Sequence, residues 1–207
     1  MTRTGSAHGK MILSGEYAVV FGYRGLAVPA AERVTVTFEE SSTVTMPKSP
    51  YIQKIVQLCE EKPGKQFRGN LTIESDLSMG KGMGSSTALV IALSRCLLGE
   101  DCQAEALEIE NEMNPGHSGL DFAVIWEHHP VVFKKGMPPE LISLPEDLLK
   151  NAELIDTGKP NESTPELITW IKSHKDELAE PLQTIGECTE RILRGEDLKT
   201  VMRDHHK

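Results

Sequence analysis

The sequence predicts an α+β protein of two lobes, and three observations carry that prediction. Short apolar runs of strand character lie between Met11 and Ile73, helical spacing takes over from Pro50 onward, and a proline-bearing stretch, Met137–Pro145, precedes an almost wholly helical end. An N-terminal lobe is therefore expected at 1–136 and a smaller, mainly helical part at 137–207. With 207 residues the chain can bury one sizeable core or two small ones.

Met11–Leu13, Ala18–Phe21 and Leu71–Ile73 are short apolar runs bounded by Gly, Ser or Asn, and Val34–Phe38 alternates with period two. All four read as strands. Pro50–Glu61 places apolar residues, Tyr51 among them, at helical spacing until Pro63-Gly64 stops it. Ser85–Leu98 reads as a buried helix closed by Gly99, and Asp101 as the N-cap of a helix over Cys102–Asn114. Phe122–Trp126 and Val131–Phe133 suggest a hairpin around His128-His129-Pro130, whose imidazoles are read as exposed turn residues rather than metal ligands. A short strand is expected at Glu153–Asp156, then helices at Pro165–Leu178, Pro181–Leu193 and from Asp197 on.

The net charge of −9 argues against a broad nucleic-acid or membrane-surface patch, since such partners require excess Lys and Arg. Cys59, Cys96, Cys102 and Cys188 are scattered without paired C-x-x-C spacing, so they read as reduced core thiols. The small, polar start and the absence of any long apolar stretch suggest a cytoplasmic protein.

One segment points to chemistry. Gly80, Lys81, Gly82, Met83, Gly84, Ser85, Ser86 and Thr87 stand directly before the Ser85–Leu98 helix. Glycines let a backbone approach phosphate oxygens, and a helix starting there aims N–H groups and the positive end of its dipole at the same anion. A nucleotide phosphate is the expected guest. The G-x-x-x-x-G-K-[ST] frame is absent, and Lys81 either adds a cation near the phosphates or points to water. On the following helix Glu105, Glu108 and Glu112 oppose the apolar stripe, whereas Glu110 falls inside it. A buried carboxylate needs a partner, either a bound cation or a structural arginine.

Three motifs stand in order: His8–Gly22, the Gly80–Ala88 loop and Asn114–Asp121. Together they resemble the GHMP small-molecule kinases, most closely their mevalonate-phosphorylating branch, over about the first two thirds of the chain. The resemblance implies an N-terminal lobe like domain 2 of ribosomal protein S5, and ATP with Mg²⁺ as cofactors. It implies that Ser86 and Glu110 hold the metal against the nucleotide, that Asp121 is the catalytic base and that Lys10 is its partner. Glu16, Tyr17, His117, Ser118 and Gly119 match positions near the substrate. Thr164, within Asp156–Thr164, matches a substrate contact.

Two departures stand beside the resemblance. His117 replaces the usual proline, either as a substrate-facing group or as a tolerated loop change, and the third, glycine-rich motif of relatives is not found before Lys207, so either the sequence is a fragment or its C-terminal lobe is reduced. A face left apolar by that shortening needs a partner, with a homodimer left open. The implied activity is phosphorylation of a small hydroxy acid, with mevalonate the expected acceptor. Phosphomevalonate, a sugar or homoserine stay open, as does a nucleotide-binding regulator without turnover.

Overall fold

The computed structural model describes residues 1–145, 147–150, 152–155, 158 and 164–206, apart from the side chains of residues 164 and 165. Its contacts divide the chain into two units, one made of Met1–Gly9, Ala30–His117 and Ile125–His128, the other of Lys10–Pro29, Ser118–Val124 and His129–Lys207.

The first unit is a sheet layered with helices. It holds the start of strand β1 (Thr2–Ser14), the later half of β2 (Gly25–Glu40) and β3 (Gly69–Ser75). β2 and β3 are antiparallel, with Val36 opposite Ile73 and Phe38 opposite Leu71. The period-two reading holds: Val34, Val36 and Phe38 are buried while Thr35 and Thr37 are not. Helices α1 (Pro50–Glu60), α2 (Ser85–Leu98) and α3 (Gln103–Met113) pack on one another. α2 is buried on nearly every face, as expected of a central helix. It can lie close to β1 because Gly5 has no side chain: a Cβ there would sit 2.3 Å from Cys96 N and 2.4 Å from Ala92 O. Phe38, Ile55, Ile91, Leu97 and Ile109 are among the largest fully buried side chains of this unit, each worth about 1.5–3 kcal/mol on burial.

In the second unit the first residues of β2 pair antiparallel with β4 (Val131–Phe133), which pairs with β5 (Glu140–Leu141). Helices α5 (Thr164–Ser173), α6 (Ala179–Leu193) and α7 (Leu198–His205) follow, with α6 packed on α7. Leu26, Val132, Cys188, Ile192 and Val201 form one buried cluster, and Ala18, Ile171 and Leu182 another. Asp197 caps α7 by accepting from Thr200 N at 2.9 Å, a contact worth about 1 kcal/mol.

Several sequence expectations need correction. Ala18–Phe21 is a 3₁₀ turn, not a strand, because left-handed backbone at Gly15, Tyr17 and Gly22 reverses the chain around it. Phe122–Trp126 belongs to helix α4 (Leu120–Glu127), so there is no hairpin before β4. An apolar run buried on all sides carries no period that separates strand from helix. The N-cap of α3 is Cys102 rather than Asp101, and it makes no side-chain cap bond. Residues 153–155 are exposed and unpaired with any strand, while Asp156 lies outside the described residues. α5 ends at Ser173, five residues before the expected Leu178, in a run of turns, and the expected linker contains β5. The four cysteines are free and buried, as read from the sequence. Among the described residues no helix is long and apolar enough to cross a membrane.

Candidate active site

The glycine loop belongs to the first unit. Gly80, Gly82 and Gly84 have φ of 73°, 74° and 70°, in the left-handed region that side chains disfavour. Gly84 is the N-cap of α2, and Ala88 N returns to its carbonyl at 2.8 Å. A glycine cap brings no side-chain oxygen to the first-turn N–H groups, and that turn contains no acid. Both features suit an anion at this helix end. Met83 is buried and anchors the loop. Gly9 of β1 passes beneath it, where a Cβ would lie 2.9 Å from Met83 O. Lys81 is half-buried.

The first turn of α2 brings a hydroxyl to an acid on α3. Glu110 is 1% exposed. Thr87 Oγ1 donates to its Oε1 at 2.7 Å and Asn114 Nδ2 to its Oε2 at 2.9 Å. Ser86 Oγ donates to Asn114 Oδ1 at 3.0 Å, so Asn114 joins the two expected metal ligands. Tyr51 OH lies 3.1 Å from Ser86 Oγ. Burial pushes the Tyr51 phenol above its ordinary range, and the hydrogen bonds to Ser86 and Asn114 only partly oppose this.

Tyr51 and Asn114 were not singled out as site residues from the sequence. For Asn114 the signal was local: it stands four positions after Glu110, on the same helix face. For Tyr51 it was a hydroxyl at an apolar position of α1, which gains meaning only once α1 meets α2.

The second unit holds the other expected group. Lys10 Nζ lies 3.1 Å from Asp121 Oδ1, with the lysine side chain 7% exposed and the aspartate 34%. α4 starts just before Asp121, and Ser118 Oγ accepts from Leu120 N at 3.2 Å to hold that turn. Gly119 has φ 99°, and a Cβ there would meet the Phe133 ring at 2.8 Å, so only glycine fits. Glu16 is exposed. Tyr17 is half-buried at φ 59°, rare for an aromatic residue. Burial, then Glu16, raises the Tyr17 phenol pKa. His117 belongs to the first unit, its Nε2 lying 2.8 Å from Asn111 Oδ1. The side chain of Thr164 is outside those described, as are Asp156, Thr157 and residues 159–163.

Residues 50–127 match the family model of the GHMP kinases N terminal domain. The mevalonate kinase of Methanothermobacter thermautotrophicus is 32% identical over 148 residues, which cover 60% of this chain and 48% of the relative. The chain thus spans about half the length of the curated relatives it matches. The fold matches the crystal structure of the Methanococcus jannaschii mevalonate kinase with a TM-score of 0.76 at 20% identity, covering 100% of this chain and 77% of that one. It also matches the L. major mevalonate kinase in complex with R-mevalonate, with a TM-score of 0.72 at 16% identity, over 98% of this chain and 73% of that one. Sequence and fold agree: this chain resembles the GHMP small-molecule kinases, residues 50–127 matching their N-terminal domain, and within that family it is similar to the mevalonate kinases.

Proposed function

We propose that the protein is an ATP- and Mg²⁺-dependent kinase that phosphorylates mevalonate on its primary hydroxyl. The observation that carries the reading is the Lys10–Asp121 pair, 3.1 Å apart with the lysine buried. A protein that only binds nucleotide has no need of a lysine buried against an aspartate, whereas a phosphoryl acceptor needs a base for its proton and a cation for its developing charge. The similarity to a kinase solved with R-mevalonate supports the choice of acceptor.

The loop of the first unit is assigned to the nucleotide, its N–H groups and the N-terminus of α2 meeting the phosphates. Asp121 accepts the acceptor's hydroxyl proton as the oxygen–phosphorus bond forms and the bond to ADP breaks. Lys10 holds Asp121 in place and offers positive charge to the alkoxide. The donor set suits Mg²⁺, which takes one or two carboxylates and completes its shell with phosphates and water. Glu110 supplies one buried carboxylate and Ser86 a hydroxyl, both tied to Asn114. Among the described residues no cluster of three or more His, Cys, Asp or Glu offers an all-protein cage. Bound there, Mg²⁺ would neutralise phosphate charge. Residues 1–136 are assigned to the nucleotide-binding lobe and 137–207 to part of the C-terminal lobe. Four free thiols fit a reducing, cytoplasmic setting.

The test is ADP release by the purified chain with MgATP and mevalonate, phosphomevalonate, galactose or homoserine, with Asp121→Asn as control. Release with mevalonate, lost in the control, is the expected result. Release with another alcohol would change the substrate, and bound ATP without turnover on any of them would overturn the kinase reading.

A further inference from the structure

We infer that Asn114, steadied by Tyr51, is a positioning residue that sets the hydrogen-bond polarity of Ser86 and Glu110 so that both present oxygen lone pairs to a metal–nucleotide complex. The inference rests on the proposed nucleotide reading and follows from counting hydrogens.

The amide of Asn114 has only one workable orientation. Glu110 is an acceptor on both oxygens when ionised, so the nitrogen of Asn114 must face it, as it does at 2.9 Å. The flipped amide would set a carbonyl oxygen against the carboxylate. With that end fixed, Oδ1 faces Ser86 and takes the serine's only hydroxyl hydrogen at 3.0 Å. Tyr51 OH lies 3.1 Å from Ser86 Oγ and 3.5 Å from Asn114 Oδ1, an oxygen already taking the serine's hydrogen, so we assign the phenol hydrogen to the nearer serine oxygen, while the phenol oxygen receives the second Nδ2 hydrogen of Asn114 at 3.2 Å. Ser86 gives its proton away and accepts once, which leaves one lone pair for a cation.

This matters because a hydroxyl can turn. A serine whose proton points at a cation repels it, and a serine free to rotate loses freedom on binding. Asn114 removes both penalties and also holds Glu110 Oε2, while Thr87 holds Oε1. As the C-cap of α3, with its N–H bonded to Glu110 O at 2.9 Å, Asn114 is fixed at its backbone as well.

The experiment measures ATP affinity calorimetrically on the full chain, once with excess Mg²⁺ and once with EDTA. The ratio of the two affinities is the metal–nucleotide coupling. Asn114→Ala should reduce that ratio about tenfold or more, the scale for loss of a group that orients a metal ligand, and leave metal-free ATP affinity within about twofold. A merely structural role would weaken both affinities together and leave the ratio intact, and that result would overturn the inference. Tyr51→Phe removes one hydroxyl from a half-buried ring. It carries the test if Asn114→Ala does not fold, with a fall of about threefold in the ratio expected and an unchanged ratio counting against the inference. If the unaltered chain binds no ATP in either condition, the nucleotide reading falls and this inference with it. If it binds ATP with strong Mg²⁺ coupling that neither variant disturbs, only this inference falls.

Discussion

Replacing either member of the Lys10–Asp121 pair should lower turnover by roughly a hundredfold or more, yet the two changes should differ in their cost to folding. At 3.1 Å and an effective dielectric near 20, the Coulomb attraction is about 5 kcal/mol before desolvation is charged against it. The desolvation is unequal, because the lysine side chain is 7% exposed and the aspartate 34%. Asp121→Asn strands a buried ammonium, and Asp121 is the one acid paired with it among the described residues. Breaking a fully buried pair costs about 3–5 kcal/mol, and partial exposure of the aspartate brings the expected loss to about 2 kcal/mol. Lys10→Met removes the buried charge itself, keeps an apolar stem in its place and leaves a carboxylate in partial contact with water. Its cost should be about 1 kcal/mol or less.

Urea unfolding of the two single variants and the double variant measures this. The double variant should match Lys10→Met, with a coupling of about 2 kcal/mol, while turnover falls roughly a hundredfold or more in every case. If Lys10→Met proves the costlier change, the lysine does not depend on Asp121 for its burial, and the account of the pair is wrong. The stability data also guard the functional control, since lost turnover in Asp121→Asn counts against a base only while the variant remains folded under assay conditions.

Three further outcomes follow from packing and titration. Gly5→Ala drives a methyl into the backbone of α2, 2.3 Å from Cys96 N, and should cost at least about 2 kcal/mol. Gly22→Ala, at φ 90° with open space around it, should cost about 1 kcal/mol from backbone strain alone, and equal unfolding midpoints for the two would refute the close approach. Burial pushes the Cys59 thiol up to about 12 and Cys102 to about 11, so at pH 8 Ellman's reagent should read almost no thiol in minutes natively and all four in urea, whereas rapid native labelling would place a thiol at the surface. Burial, then the neighbouring His8 and Arg95, lowers His128, and burial, then His206, lowers His205. The unfolded chain therefore binds more protons as pH falls below about 6.5, and stability is lost from there down through the lowered folded values. His205→Phe should flatten the urea midpoint between pH 7.5 and 5.5, above the range where carboxylates titrate, and an unaltered slope would exclude His205 as a contributor.

What could be read from the sequence depended on whether the deciding interaction was local. α1 and α2 were legible because each carries its own limits, Ser49-Pro50 and Gly99, and because fourteen residues of α2 exceed any ordinary strand. α4 was not, since the seven residues Leu120–Trp126 are apolar apart from Asp121, and no period distinguishes a short buried helix from a buried strand. Ala18–Phe21 failed for a related reason: its β-branched residues favour a strand, but backbone at Gly15, Tyr17 and Gly22 closes a 3₁₀ turn instead.

The same division runs through the candidate site. The loop announces itself because three left-handed positions require glycine, and Glu110 because a wheel shows an acid where apolar residues should be. The consequence of burying that acid was not local. Its partners come from the first turn of α2 and the C-cap of α3, and Tyr51 reaches the network from α1. Three helices must pack before the hydroxyl of Ser86 has a fixed direction. Packing of the first unit and the geometry of its polar network are therefore one problem: a core substitution that shifts α1 against α2 by a few tenths of an ångström would act on Tyr51 and Ser86 before it touched the loop.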